Sequence, residues 1–393
     1  MGRAVALLVV AVVLALSLWF SAAAVMPGLA AEHGTTLAAL AGLTTATQLG
    51  FVAGALSLAA TGLPDRRDPR LVFAASAVIA AGANAALLVL HPEGWAALAS
   101  RFVVGAGLAG VYPVGLKIAV GWSEARRGLI TGFLVGAVTL GSGLPHLVVL
   151  TGGPDWRATI VATSALALAA AALVSGVGLG PFHRRAARLR LSVLGLAWTD
   201  RRIRLAFAGY FGHMWELYAF WAWVAAIAAA SSGAMVANPP AFGAAVAFAA
   251  ITLGGLACVP AGWLADRIGR ARIAGGAMVL SAAAGLASAV GFGAAPWVIA
   301  GLLILWGSAI VADSAQFSSL VADNTPPESA GSLMALQTAL GFALSALTVQ
   351  LLPWFAGFAG WPLALAALAI GPVLGAAAMG RLDAMGVRQA ALP

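Results

Sequence analysis

The chain carries two copies of one short pattern, 201 residues apart. The first copy places Gly54 eleven residues before Asp65, and the second places Gly255 eleven residues before Asp266. Arginines follow each aspartate, and each copy lies between two long apolar stretches. Three further pairs continue the repeat at offsets that rise from 202 to 205: Gly105 with Gly307, Gly128 with Gly331, and Trp156 with Trp361. A repeat of this length indicates an ancient duplication, so we expect two equivalent halves.

The composition requires a membrane as the solvent. Hydrophobic residues make up 62% of the chain, charged residues make up 9%, and the mean hydropathy is +0.98. A soluble globular protein carries roughly 25% charged residues, so a chain this poor in charge cannot coat a water-facing surface. The net charge of +8 does not indicate nucleic acid binding, because the basic residues stand in short loops between apolar runs. The single cysteine, Cys258, excludes an intrachain disulfide.

Twelve apolar runs each approach or exceed the roughly 20 residues that a membrane span needs. The first run is longer than the 7–15-residue core of a secretory signal peptide, so we interpret it as a span. We therefore predict an all-α membrane protein with two six-helix bundles, residues 1–180 and 204–393, joined by a basic linker at 181–203. The predicted spans are 4–30, 36–62, 71–90, 95–121, 128–151, 158–180, 204–231, 239–264, 272–292, 296–321, 331–352 and 360–380.

The basic residues predict the orientation in the membrane. All but three of the 21 lysines and arginines fall on one side of the predicted spans, the exceptions being Arg101, Lys117 and Arg157. Short loops rich in arginine stay on the cytoplasmic side, so we predict cytoplasmic N- and C-termini and a place in the cytoplasmic (inner) membrane. The linker is interpreted either as an amphipathic helix on the anionic leaflet or as a basic tether.

Two motifs resemble those of a known family. The segment from Gly262 to Arg270 follows the pattern G-x-x-x-D-R-x-G-R, which is the cytoplasmic loop motif of the major facilitator superfamily. Its first copy is degenerate, because Asp68 stands where the family has glycine. The sequence RFVVGAG, which begins at Arg101, is similar to the family's R-x-x-x-G-x-G element. The resemblance implies a secondary transporter that works by alternating access, with a gate at Asp65, Arg66, Gly262, Asp266, Arg267, Gly269 and Arg270.

Three departures from the family narrow the expected function. The fifth span lacks the G-P-x-x-G-G element of many antiporters, so proton antiport has no support from it. The second and eighth spans contain no arginine of the kind that nitrate transporters use for their anion. The sequence contains no Met-x-x-x-Met pair, so it gives no support to copper import.

The densest polar cluster lies in the seventh predicted span. Tyr210, His213 and Glu216 follow one another at intervals of three residues and therefore share a helix face. A charge in the middle of a bilayer costs roughly 2.5–3.5 kcal/mol on insertion scales, and histidine exchanges protons near neutral pH. We interpret His213 and Glu216 as a proton-coupling pair. The alternative is a structural hydrogen bond between packed helices. The resemblance adds Arg101 to the proton-coupling group.

Other polar and aromatic residues in the spans are candidates for contact with a substrate. The repeat pairs Asp313 in the tenth span with Val111, which predicts that Asp313 and the neighbouring Tyr112 face one cavity. The alternative for Asp313 is a satisfied polar group at a helix break, and for the aromatic residues it is packing against lipid or core. The predicted substrate-binding residues are Tyr112, Asp313, Gln316, Trp19, Tyr210 and His146.

These observations together predict a proton-coupled transporter of a small polar or amphipathic organic solute, monomeric in the lipid bilayer. The alternatives are an exporter of hydrophobic compounds and a non-transporting sensor or assembly protein of the same fold. An enzyme is not expected, because the sequence has no phosphate-binding P-loop, no zinc-type His/Cys spacing and no G-x-S-x-G elbow. No cofactor, metal or nucleic acid partner is expected.

Overall fold

A computed structural model describes residues 2–122, 127–152, 155–182 and 191–390 of the chain. Within these ranges the regular structure is helical. Residues 183–190, the basic centre of the predicted linker, lie outside the described residues, as does Arg126.

Within the described residues, twelve helices are long and apolar enough to cross a membrane. Those of the N-terminal half are α1 (Gly2–His33), α2 (Leu37–Thr61), α3 (Pro69–Ala86), α4 (Trp95–Val120), α5 (Ile130–Gly152) and α6 (Trp156–Ser175). Those of the C-terminal half are α7 (Arg201–Met235), α8 (Pro239–Ile268), α9 (Arg270–Val290), α10 (Pro296–Asp323), α11 (Ser329–Ala359) and α12 (Trp361–Met385). The prediction of an all-α protein with twelve spans is confirmed.

Short polar side chains fix where several helices begin. The first backbone N–H groups of a helix have no partner inside the helix, and an oxygen at the preceding residue accepts from them. Asp200 does so for α7, accepting from the N–H groups of Arg202 and Ile203. The same role belongs to Thr36, Asp68, Asp155 and Asn238 at α2, α3, α6 and α8.

The abundant glycines serve close helix packing. A Cβ atom placed on Gly105 of α4 would lie 1.9 Å from the carbonyl oxygen of Thr47 on α2, and one on Gly50 would lie 2.0 Å from that of Phe102. Backbones this close leave no room for a side chain. In lipid, where apolar side chains gain little by leaving the solvent, such small-residue contacts hold helices together.

The same contact recurs in the second half, which supports the inferred duplication. Gly307 on α10, the repeat partner of Gly105, would place a Cβ atom 2.8 Å from the carbonyl oxygen of Ala250 on α8. The second and fourth helices of each half therefore cross at equivalent glycines. Trp156 and Trp361, another predicted pair, begin the sixth helix of each half.

The two halves meet along α2 with α11 and along α5 with α8. The first helix also reaches across, through its second segment, Ser21–His33, which contacts α7. The hydrophobic core is continuous across these contacts. The middle of the interface is thus enclosed by helices from both halves.

The two ends of the bundle differ in charge. One end, here called the arginine-rich face, carries Arg66 and Arg67 beyond α2 and Arg267 and Arg270 at the junction of α8 and α9. The other end, the opposite face, is where α1 finishes and α2 begins. Exposed tryptophans occur at both ends, as expected at lipid–water boundaries: Trp95, Trp297 and Trp354 at the opposite face, and Trp198 and Trp263 at the arginine-rich face.

Substituting Gly105 with alanine tests the glycine crossing. We expect Gly105→Ala to lower the free energy of unfolding by about 1–3 kcal/mol, because the methyl group forces α2 and α4 apart. The measurement is thermal unfolding of the detergent-solubilised protein. Gly132→Ala is the control, since a Cβ atom there meets nothing within 4 Å. Equal midpoints for the two variants would show that the crossing adapts without cost.

Candidate functional site

A cluster of six buried aromatic side chains occupies the middle of the interface between the halves. The ring of Trp19 on α1 lies 5.6 Å from that of Tyr218 on α7, and the ring of Phe51 on α2 lies 4.6 Å from that of Phe342 on α11. Each of these pairs joins one half to the other. We call this group the central aromatic cluster: Trp19, Phe20, Phe51, Tyr218, Trp221 and Phe342.

A break in α1 places two members of this cluster. Residues Ser17–Phe20 form turns between the segments Gly2–Leu16 and Ser21–His33. The Ser17 hydroxyl donates to the Leu14 carbonyl at 2.6 Å, and the Ser21 hydroxyl donates to the Leu18 carbonyl at 2.9 Å. Serine side chains that bond nearby backbone groups compete with helical hydrogen bonds. The break turns the side chains of Trp19 and Phe20 toward α7.

Arg101 of α4 binds this break from the side. Its guanidinium donates to the carbonyl oxygens of Leu18 at 3.1 Å and Trp19 at 3.4 Å, and to Asn84 Oδ1 at 2.6 Å. The side chain is completely buried. Asn84 in turn donates to Ser164 on α6 at 2.9 Å. Arg101 and Asn84 therefore tie α1, α3, α4 and α6 together. The groups that accept hydrogen bonds from Arg101 are neutral and belong to the N-terminal half.

Glu216 lies in a second buried cluster, inside the C-terminal half. The Ser281 hydroxyl on α9 is 2.8 Å from both carboxylate oxygens and donates to them, and the Trp306 indole N–H on α10 donates to Oε2 at 2.8 Å. Glu216 is completely buried. Across the described part of the chain, the basic residues that form ion pairs do so with carboxylates other than Glu216. The carboxylate is therefore held by neutral donors alone.

His213 pairs with Asp313 rather than with Glu216. Its Nδ1 atom lies 2.8 Å from Asp313 Oδ1, and its Nε2 atom lies 3.2 Å from the Ser314 hydroxyl. Asp313 stands between the two segments of α10, Pro296–Ala312 and Ser314–Asp323, and is completely buried. The predicted neighbours His213 and Glu216 thus hold α10 at two points, through Asp313 and through Trp306.

The remaining predicted substrate residues are spread around this region. The Tyr210 ring lies 6.1 Å from that of His213 and packs on Gly341 of α11. Tyr112 on α4 is partly buried and packs against the hydrophobic core. Gln316 on α10 and His146 on α5 are buried, at 4% and 0% exposure. The structure holds Asp313 within the C-terminal half against His213, and Tyr112 lies on α4 of the other half.

The residues predicted to form a gate make ion pairs within their own halves. Asp65 pairs with Lys117 of α4, which also donates to the Pro64 carbonyl at 2.8 Å. Arg270 pairs with Asp323 at the end of α10, and lies 3.7 Å from Asp266.

The other four predicted gate residues are Arg66, Gly262, Arg267 and Gly269. Arg267 stacks on Trp263, its guanidinium carbon 3.6 Å from the ring centroid. Gly269 ends α8 with φ of 106°, a value that favours glycine. Arg66 is exposed. A Cβ atom on Gly262 would have no neighbour within 4 Å.

A crevice of about 510 Å³ opens among the second group of gate residues. It is lined by three arginines and three aspartates, so its walls carry balanced charge: Arg202, Arg270, Arg272, Asp266, Asp323 and Asp383. Arg272 pairs with Asp383 at 3.1 Å. The crevice is therefore part of the ion-pair system of the C-terminal half.

Comparison with known proteins decides the family. Residues 7–349 match the profile of the Major Facilitator Superfamily. The chain belongs to the Major Facilitator Superfamily. The family and its fold are those of transporters, and the twelve apolar helices make this member a multi-pass membrane protein. No curated protein sequence matches this chain.

Solved transporters share the fold. The nucleoside transporter NupG superposes with a TM-score of 0.72 at 15% identity, covering 96% of this chain and 99% of that one. The D-xylose-proton symporter gives 0.74 at 15% identity, covering 95% and 96%. A partially occluded inward-open structure of the xylose transporter XylE from E. coli gives 0.74 at 14% identity, covering 97% and 98%. At this identity the likeness shows the fold alone.

Three residues of the buried clusters were not predicted from the sequence, because the search there was for charged side chains. Asn84, Ser281 and Trp306 are uncharged, yet they hold Arg101 and Glu216. The signal for Asn84 was present, because an amide inside an apolar span needs a partner. Ser281 and Trp306 resemble many other serines and tryptophans in the chain, and only the packing of α7, α9 and α10 selects them.

Removing Arg101 tests its hold on the α1 break. We expect Arg101→Leu to destabilise the protein by about 1–3 kcal/mol for each acceptor left unpaired, measured as thermal unfolding in detergent. The loss in an Arg101→Leu/Asn84→Leu double variant is expected to be smaller than the sum of the single losses, because the two residues share one network.

Arg157→Leu is the matched control for this experiment. Arg157 pairs with Glu32 at 2.6 Å, but its side chain is 48% exposed, and exposed ion pairs contribute about 0–1 kcal/mol. If Arg157→Leu destabilised the protein as much as Arg101→Leu, the structural role assigned to Arg101 would be wrong.

Proposed function

We propose that this protein is a secondary active transporter that moves a small polar or amphipathic organic solute across the cytoplasmic membrane by alternating access, coupled to protons. It acts as a monomer with both termini in the cytoplasm. The observation that carries the proposal is a central aromatic cluster that joins the halves, together with the buried Glu216 on α7. This helix makes three of the cluster's five ring contacts between the halves.

The contacts between the halves support alternating access. The second segment of α1 contacts α7, whereas the first segment, Gly2–Leu16, contacts helices of its own half. The gate residues at the arginine-rich face likewise pair within their halves. This distribution fits a state that is closed from the central aromatic cluster toward the opposite face. Rocking of the halves would bring the two sets of gate residues together and open the other side.

Glu216 is the proposed proton site because its charge has no compensating cation. Its partners, Ser281 and Trp306, donate hydrogen bonds and so support the ionised carboxylate. Uptake of a proton neutralises the carboxylate, which lowers the free-energy cost of moving the carboxyl group through a low-dielectric interior. The protonated carboxyl group can donate to Ser281 Oγ, because a hydroxyl both donates and accepts.

The two attachments between α7 and α10 connect this proton to the solute path. Glu216 holds Trp306 in the first segment of α10, and His213 holds Asp313 at its break. The same helix, α7, carries Tyr218 and Trp221 of the central aromatic cluster. A change in the Glu216 hydrogen bonds is therefore proposed to shift α7 relative to α10, and with it the closure of the cluster.

Reconstitution in liposomes that contain a pH-sensitive dye tests proton coupling. The probes are uridine and D-xylose, together with a mixture of small metabolites, because solved relatives in fold are named as a nucleoside transporter and a D-xylose-proton symporter. We expect a transported probe to acidify the lumen of wild-type liposomes. Glu216→Gln is expected to reduce this acidification at least tenfold while it retains exchange of labelled probe.

Glu93→Gln provides the control, because Glu93 lies between the spans at the opposite face and bonds Thr35. It should acidify the liposomes like the wild type. Acidification by Glu216→Gln at the wild-type rate would eliminate Glu216 as the proton site. Probe uptake by the wild type without any proton movement would make the protein a uniporter.

A further inference from the structure

Three buried side chains beside the central aromatic cluster have polar atoms without a hydrogen-bond partner among the described residues. They are the indole N–H groups of Trp19 on α1 and Trp221 on α7, and both amide atoms of Gln48 on α2. Each side chain is at most 2% exposed. Buried polar groups in proteins are nearly always paired, so such a concentration calls for an explanation.

These three groups face the interface between the halves. The ring of Trp19 stacks on that of Tyr218, and the ring of Trp221 lies 5.8 Å from that of Phe20, so both indoles belong to contacts between α1 and α7. Gln48 precedes Phe51 by three residues and shares its helix face. Phe51 reaches Phe342 of the other half. The unpaired groups thus surround the cluster from three helices.

The other contact between the halves repeats the pattern. Thr252 Oγ1 on α8 and both ring nitrogens of His146 on α5 also have no partner among the described residues. A Cβ atom on Gly143 would lie 3.4 Å from Thr252 Oγ1, and His146 follows Gly143 by three residues. Both halves therefore supply uncommitted hydrogen-bonding groups at the same interface, namely a hydroxyl and an imidazole.

The charged side chains of the middle of the spans are bound elsewhere. Arg101 is held by neutral groups of the N-terminal half, and Glu216 and Asp313 are held inside the C-terminal half. Arg101 reaches the cluster through the backbone of Trp19, and both of its terminal nitrogens are bound to groups of the N-terminal half. A cation moved into this site would lose its hydration without a carboxylate to replace it.

The cluster presents two kinds of surface, indole N–H donors and aromatic ring faces. Indole N–H groups are donors only, so they offer no lone pair that could replace the hydration of a cation. Aromatic ring faces carry partial negative charge, so they repel an anion. What remains favourable is a flat uncharged molecule, whose ring packs against the aromatic side chains and whose oxygen or nitrogen acceptors receive the N–H donors.

We propose that the interface binds an uncharged ring-shaped solute, with its acceptors toward Trp19, Gln48 and Trp221. This inference names the substrate class of the transporter proposed above and rests on that function for its biological meaning. Binding is measured without transport, so the two proposals can fail separately. A neutral ligand that binds but is not carried would refute transport alone, and a charged solute that is carried would refute only the present inference.

Binding to the purified full-length protein in detergent tests the inference. The probes are matched by ring and differ in charge: nicotinamide, nicotinate and N1-methylnicotinamide form one set, and D-glucose, D-glucuronate and D-glucosamine form another. A wider panel of neutral ring metabolites, each with a charged counterpart, extends both sets. Thermal stabilisation and quenching of tryptophan fluorescence report binding. We expect neutral members to bind at least tenfold more tightly than their charged counterparts.

A matched pair of glutamine variants assigns the site. Gln48→Leu removes the amide while leaving an apolar side chain of similar size, and is expected to weaken binding of the neutral probe at least tenfold. Gln350→Leu, in the outer part of α11, is expected to bind like the wild type. A charged member that binds as tightly as its neutral parent would overturn the inference, as would a panel in which no neutral probe binds. The inference would also be wrong if the Gln48→Leu protein unfolded at the wild-type temperature and bound the neutral probe as tightly as the wild type.

Discussion

The fold depends on keeping buried charge satisfied inside a single half. A charge in the apolar interior needs partners, and two halves that move relative to each other cannot supply stable partners to one another. Arg101 obtains its hydrogen bonds from α1 and α3, and Glu216 obtains its own from α9 and α10. Each of these two side chains is therefore bound entirely within its own half. The interface is left with aromatic contacts and neutral polar groups, which separate at a much lower cost than ion pairs.

The two buried clusters occupy equivalent places in the repeat, but one is built around an arginine and the other around a glutamate. Arg101 connects the first, third and fourth helices of its half, and Glu216 connects the first, third and fourth helices of the other. The cation reinforces a break in the first helix, α1, by binding the carbonyl oxygens that the break exposes. The anion instead attaches α7 to α10, whose break lies beside Asp313. A duplicated framework has thus acquired a structural cation in one half and a proton-binding candidate in the other.

Much of the fold followed from the sequence, because a bilayer leaves few alternatives. Twelve apolar runs of this length allow only helices, and the repeat that pairs Gly105 with Gly307 reappears in the structure as equivalent helix crossings of the two halves. The candidate site was harder to predict. The spacing of His213 and Glu216 placed them on one helix face, but their actual partners, Asp313 and Trp306, come from a helix about 100 residues away. Spacing along one helix determines neighbours on its own surface, whereas partners on other helices depend on rotation and tilt that local periodicity does not contain.

The position of Trp19 connects these observations. It is the residue whose carbonyl oxygen receives Arg101 and whose ring contacts Tyr218 and Phe342 of the other half. The rigid N-terminal cluster thereby fixes one wall of the interface. The other wall is set by α7, which Glu216 and His213 attach to α10. Because one wall is fixed and the other is held through Glu216 and His213, the proton binding proposed for Glu216 would alter the interface without breaking any contact inside the N-terminal half. Coupling of the proton to opening of the interface would then require only that α7 shift relative to Trp19. Because attraction between packed aromatic rings acts over a short range, a small shift of α7 would weaken these contacts.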